Sequence, residues 1–192
     1  MPPKCRFTRE EIIQAALDLT AEKGVGALTA RGLAQRLGSS AKPIFGLLAN
    51  MEEVQQEVVK AANLRYQEYL RQDMSAGRYP PYKASGMAYI RFAREQKELF
   101  KLLFMRDRTH EEKAAGDELE ALLGLIQKNM GLSRDDAYRF HLEMWIYVHG
   151  IATMIATAYL EWDMDFISAA LTDAYQGLRL RFLPKETEGE RK

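Results

Sequence analysis

The sequence predicts an all-α fold: a three-helix head built on a helix-turn-helix, a long fourth helix leading out of it, and a larger helical body. Three observations carry that expectation. Apolar residues recur at helical spacing along nearly the whole chain, and short β-branched pieces such as 145–148 sit inside longer helical patterns, so no strand is expected. Capping signals open and close these segments. Residues 29–54 hold two short helical patterns divided by Gly38-Ser39-Ser40 and followed at once by a long one, which is the order of a helix-turn-helix.

In chain order, Thr8 with Glu11 is a capping box, Ile12, Ala15, Ala16 and Leu19 follow at helical spacing, and Lys23-Gly24 closes the helix. The first helix therefore runs from about 9 to 23. Thr29 caps a second helix, whose Leu33, Ala34 and Leu37 form its apolar side and which Gly38 ends. Ser40 is expected to cap a third helix of about seven residues, with Pro43 in its first turn, where a missing N–H costs nothing. Asn50 with Glu53 opens the fourth, which continues to about Met74. The break at 75–81, SAGRYPP, is the clearest boundary in the chain. Beyond it, helices are expected at about 82–95, 97–105, 111–130, 134–160, and from Asp163 or Asp165 to near Pro184. The chain thus divides into a head at 1–50, a connecting helix from 51 to about 74, a body at 75–184, and a charged tail at 185–192 expected to fray.

Composition narrows the class. Of 192 residues, 47% are hydrophobic and 28% charged, which is the make-up of a globular protein. The net charge of zero argues against a general nucleic-acid coat, but the charge is unevenly placed. Residues 1–50 hold seven Lys/Arg against four acids, net +3, leaving 20 and 23 for the rest, net −3. Cys5 is the single cysteine, so no intrachain disulfide forms and a reducing, cytoplasmic setting is expected. The N-terminus lacks the apolar core of a signal peptide. The longest uncharged run, Met144 to Leu160, is 17 residues. It falls just short of the roughly 20 needed to span a bilayer, and reads as a buried or interface helix.

Residues 29–48 are the first candidate site. Ile44 and Leu48 would lock the short third helix onto its neighbours, leaving Ser39, Ser40, Ala41, Lys42 and Phe45 outward or along the turn. In a major groove Ser and Lys donate to base edges or phosphates, and an aromatic lies against sugar or a thymine methyl. Thr29 offers a hydroxyl and a helix N-terminus to a phosphate, with Arg31, Arg6 and Lys4 as further contacts. Asn50 completes the candidate DNA-facing set. An ordinary helical hairpin would share this spacing, and spacing alone leaves both readings open.

Residues 8–55 resemble the DNA-binding head of the TetR family of one-component bacterial regulators. The resemblance rests on Ile-Ile-x-Ala-Ala-x-x-Leu in the first helix, Glu22-Lys23-Gly24, Thr29, Leu33-Ala34, Leu37-Gly38, Ser40, Ile44-Phe45, and Asn50-x-Glu52-Glu53-Val54. Phe45 stands where that family usually has Tyr, Leu47 where it has His or Tyr, and Lys42 where Gly is common. The first two exchanges remove polar phosphate contacts; the third can restore one. The resemblance implies a dimeric regulator of transcription, with double-stranded DNA and a small-molecule effector as its partners.

In the body, Tyr138, His141, Trp145, His149 and Ala152 run along one side of the eighth helix, and Trp145-x-x-x-His149-Gly150 resembles a C-terminal variant found in some TetR-like regulators. Gly150 would permit another helix to approach closely. His141 and His149 are about two turns apart, too far to share an ion within one helix, and no Glu-x-x-His pair accompanies them, so neither metal nor cofactor is expected. Most of the dense Met and Phe content reads as core, yet such residues also shape apolar cavities. The resemblance places a ligand cavity after the fourth helix, with Tyr66, Tyr89, Phe92, Phe104, Tyr138, His141, Trp145 and His149 as candidate lining. It also pairs the last two helices with their two-fold copies through Ile151, Ile155, Tyr159, Phe166, Ala170, Asp173 and Gly177. Such a dimer would set two third helices on successive major grooves of a palindromic operator.

The expected function is a ligand-responsive repressor, released from its operator by a small apolar or amphipathic effector. A helical enzyme would need a nucleophile–base pair or a metal cluster, and the sequence has neither. A dimeric helical sensor or adaptor whose head no longer binds DNA is the alternative, kept open by Phe45 and Leu47.

Overall fold

The structure, a computed structural model, describes residues 7–107 and 116–182. Its elements are α1 (Arg9–Lys23), α2 (Ala30–Arg36), α3 (Lys42–Phe45), α4 (Met51–Ser75), α5 (Pro81–Glu95), α6 (Lys97–Phe104), α7 (Asp117–Met130), α8 (Arg134–Ala156) and α9 (Met164–Phe182). A 3-10 turn, Val25–Ala27, precedes α2, and no strand occurs among the described residues. The fold is all-helical, as the periodicity predicts.

The head begins as its caps dictate. Thr8 Oγ1 accepts from the Glu11 N–H at 3.1 Å, and the Glu11 carboxylate accepts from the Thr8 N–H at 2.8 Å. Thr29 caps α2 by accepting from the Gly32 N–H at 3.0 Å, and Asn50 caps α4 by accepting from the Glu53 N–H at 2.9 Å. The turn after α2 needs a left-handed residue, and Gly38 supplies φ +59°.

The third helix differs from the expectation. It spans only Lys42–Phe45, its N-cap is Ala41, and no side chain caps it, so Ser40 lies one residue outside. Ala41 already has helical backbone angles, and its carbonyl accepts from the Ile44 and Phe45 N–H groups, which moves the start past Ser40. A single turn cannot hold itself together. Ile44 and Leu48, both essentially fully buried, anchor it in the core that α1, α2 and α4 share.

Two further boundaries shift. α7 begins at Asp117; residues 111–115 of the expected helix lie outside the described residues. α8 ends at Ala156, four residues early. Thr157 Oγ1 turns back onto the Thr153 carbonyl at 2.8 Å, and Ala158 goes left-handed at φ +55°. The Tyr159 N–H then reaches the Met154 carbonyl at 2.9 Å, which closes the helix and strands Tyr159 and Leu160 on the surface. Asp163 opens α9, accepting from the Phe166 N–H at 2.6 Å. The tail lies outside the described residues.

One apolar core runs from Ile12, Leu33 and Ile44 in the head through Val54, Val58, Ile90 and Phe92 to Ile151, Ile155 and Leu171 in the body. A second centres on Phe140, with Leu123, Ile126 and Met144 beside it and Tyr175 and Phe182 packed against it. Ile151 and Ile155 therefore face inward and cannot form the dimer seam expected of them. The helical period leaves Leu142, Ile146 and Tyr147 outward on α8 instead. Gly150 and Gly177 have open space where a Cβ would stand, so within the protomer no neighbour uses their smallness. Among the described helices none is long and apolar enough to cross a membrane.

Candidate functional site

A cavity of about 1000 Å³ opens between α4, α5, α7, α8 and α9, with Phe104 of α6 at one end. That is the upper end of ordinary small-molecule sites. Gly86 makes room for it. A Cβ there would stand 3.3 Å from Val148 Cγ2, a tight contact to which that side chain would have to give by a few tenths of an ångström.

Two tyrosine–histidine pairs mark its wall. Tyr82 Oη lies 3.2 Å from His141 Nδ1, and Tyr89 Oη lies 2.9 Å from His149 Nδ1. The tyrosines are seven residues apart on α5 and the histidines eight apart on α8, so neighbouring helices present matching rungs two turns apart. Burial holds the Tyr82 hydroxyl in its protonated form and keeps both imidazoles below their ordinary pKa. A protonated hydroxyl can donate to an unprotonated Nδ1, leaving Nε2 as the N–H that faces elsewhere.

Trp145 stacks on His149, ring centres 4.7 Å apart and planes at 12°, while 43% of its surface stays exposed. It lines the cavity; His149 stands behind it, tied to Tyr89. Below, Tyr66 meets Tyr89 at 5.8 Å, Phe92 at 5.4 Å and Phe104 at 5.2 Å, each edge to face. Burial, with Glu118 and Tyr89 adding to it, pushes the Tyr66 hydroxyl well up.

Of the eight residues expected to line a cavity, Tyr66, Tyr89, Phe104, His141 and Trp145 do. Phe92 is fully buried between Tyr66 and Tyr69, and Tyr138 is exposed; neither lines the cavity. Polar residues absent from that set do reach it: Lys83, Glu118, Thr172, Gln176 and Arg179. The signal for the α9 trio was available, since 172, 176 and 179 repeat at +4 and +7. Nothing in the sequence says which face of α9 meets α5.

On the head, Thr29, Arg31, Ser40, Lys42, Phe45 and Asn50 are exposed, with Ser39 and Ala41 half-buried between them. Arg31, Ser39 and Ala41 line a shallow hollow between α2 and α3. Thr29 Oγ1 and Asn50 Oδ1 already accept cap hydrogen bonds, which leaves the Thr29 hydroxyl proton for an outside acceptor. Other cations of the head serve it internally. Arg9 bonds Glu53 at 3.0 Å and Glu57 at 3.4 Å, and Arg36 bonds Glu22 at 2.7 Å, which lowers the Glu22 carboxyl. Arg31 and Lys42 form no such pair among the described residues. Lys4 and Arg6 lie outside the described residues. In the expected dimer seam, Tyr159, Phe166, Asp173 and Gly177 are exposed, and Ala170 is half-buried.

The described residues thus form a helix-turn-helix head over a cavity-bearing helical body. Residues 82–175, covering α5 to most of α9, match the family model described as "Tetracyclin repressor-like, C-terminal domain". The match supports a TetR family transcriptional regulator. No curated protein matches it.

Proposed function

We propose that the protein is a ligand-responsive repressor that binds a palindromic operator as a homodimer and leaves it when a small amphipathic effector fills the cavity. The observation that carries this reading is the cavity of about 1000 Å³ in a body that shares one core with a helix-turn-helix head. α6 connects the two. Its Phe104 closes the cavity against Tyr66 and Tyr89, while its Glu98 carboxylate packs on Gly24 at the end of α1. An effector that prefers one setting of α4 and α6 moves the heads by that difference in affinity, and by nothing else.

The face offered to DNA is Thr29, Arg31, Ser40, Lys42 and Phe45, with Thr29, Arg31 and Lys42 reaching phosphates, Ser40 a base edge, and Phe45 a sugar or thymine methyl. Dimerisation uses the outward faces of α8 and α9, where Ile146 is 67%, Phe166 53% and Leu180 78% exposed. These residues, with Leu142, replace Ile151 and Ile155 in the proposed seam. Nothing in the described residues groups three metal-ligating side chains.

The test is an electrophoretic mobility shift with the chain's own upstream DNA. A salt-sensitive shift confined to a palindromic segment is expected. The four-residue α3, uncapped by any side chain, favours one second reading: a dimeric sensor that no longer reads DNA. Retained dimerisation and ligand binding with no specific shift would decide for it.

A further inference from the structure

The cavity is unevenly charged. Lys83 stands in the first turn of α5, where its Nζ donates to Thr172 Oγ1 at 2.7 Å and sits 4.9 Å from the ring centre of Tyr79. Thr172 gives its own proton to the Ser168 carbonyl, so it meets the ammonium with a lone pair. No carboxylate does so among the described residues, and burial lowers the Lys83 pKa. Arg179 lines the same cavity two turns along α9, also without an ion pair among the described residues. Arg91, by contrast, pairs with Asp73 at 2.9 Å, and Arg181 pairs with Glu143.

The described lining holds a single acid, Glu118, on α7. It acts on Tyr66 at the aromatic end, and burial raises its own carboxyl toward the neutral form. The cation end and the aromatic end are separated along α5 by the six residues from Lys83 to Tyr89, about 9 Å. A partly buried ammonium without a counter-charge is costly, and an anion brought in from solvent removes that cost.

We propose that the effector is an amphipathic organic anion. Its carboxylate, or another oxyanion, is held by Lys83 and Arg179. Its aromatic or hydrocarbon body lies on Tyr66, Tyr89 and Phe104. A second negative group at the far end would meet Glu118, which selects for a molecule charged at one end only. The assignment rests on the cavity being the effector site.

Two fluorescent probes with one ring system separate these claims. 8-Anilinonaphthalene-1-sulfonate is the anion, and N-phenyl-1-naphthylamine is the same skeleton without the sulfonate. Both are titrated at low salt into the full-length protein, Lys83→Met, Arg179→Met and the double variant. The wild type is expected to bind the anion at least about tenfold more tightly than the neutral probe, and the double variant to lose that preference. Affinity for the neutral probe should hold within about twofold throughout, which also reports an intact fold. Equal affinities in the wild type, or anion binding that survives the double substitution, would overturn the anion assignment and leave the cavity reading standing. So would tighter binding of ethidium, a flat cation, than of the anion. If neither probe binds, the effector-site reading fails as well.

Discussion

His141 and His149 are held neutral by burial, each against a tyrosine hydroxyl, and this gives the protein a defined response to acid. As pH falls past the ordinary histidine pKa of about 6.5, the unfolded chain takes up protons that the folded one refuses. Stability therefore drops from that point downward, until pH lies below the lowered folded values. A melting temperature that is flat above pH 7 and falls as pH drops below about 6.5 is expected in calorimetry. His141→Gln with His149→Gln should flatten that limb. Glu22, Glu53 and Glu57, lowered by Arg36, by the Ala49 N–H and by Lys60 respectively, enter only below their ordinary 4.5. A drop that the double variant leaves unchanged would assign it to other groups. Also at this scale, Arg31→Ala and Lys42→Ala should each weaken operator binding and each reduce the salt slope by about 1, with the circular dichroism spectrum unchanged.

Helices that carry their own start signals are the ones whose bounds the sequence placed well. Thr8, Thr29 and Asn50 make the cap bonds their spacing implied, so α1, α2 and α4 begin where expected. α3 and the end of α8 depended on backbone events, the helical turn at Ala41 and the reversal at Ala158, that no side chain announces. Removing the α4 cap with Asn50→Ala should cost about 1 kcal/mol in urea unfolding. Ile44→Ala should cost roughly 2–5 kcal/mol, because that side chain is fully buried and α3 has little else to hold it. If Ile44→Ala abolishes operator binding while the effector probes still bind, α3 is fastened by packing alone, as its length implies.

At the scale of the whole molecule, the exposed stripe of Leu142 and Ile146 on α8 and Phe166 and Leu180 on α9 is the proposed seam between protomers. Ile146→Glu with Phe166→Glu should convert a dimer into a monomer in sedimentation velocity. It should also cost more in operator affinity than either DNA-facing substitution, because a monomer engages only one half-site. Ile151→Glu should instead unfold the chain, since that side chain lies in its own core.

From the residues alone came the helical class, the order of the elements, and the caps of α1, α2 and α4 that frame the head. These depend on contacts within a turn or two, and a 3.6-residue period writes them directly into the chain. Which side of α8 faces inward was not legible, because apolar residues occur on both sides of it. Ile151 and Ile146 look alike in sequence and are opposite in the fold. The cavity was legible only in part. Tyr66, Tyr89, Phe104, His141 and Trp145 stood out as aromatics, whereas Lys83, Thr172 and Arg179 look like surface residues until α9 packs on α5. That packing joins positions 89 residues apart, and tertiary structure alone decided that an ammonium with no carboxylate partner among the described residues would face the same space as an aromatic wall.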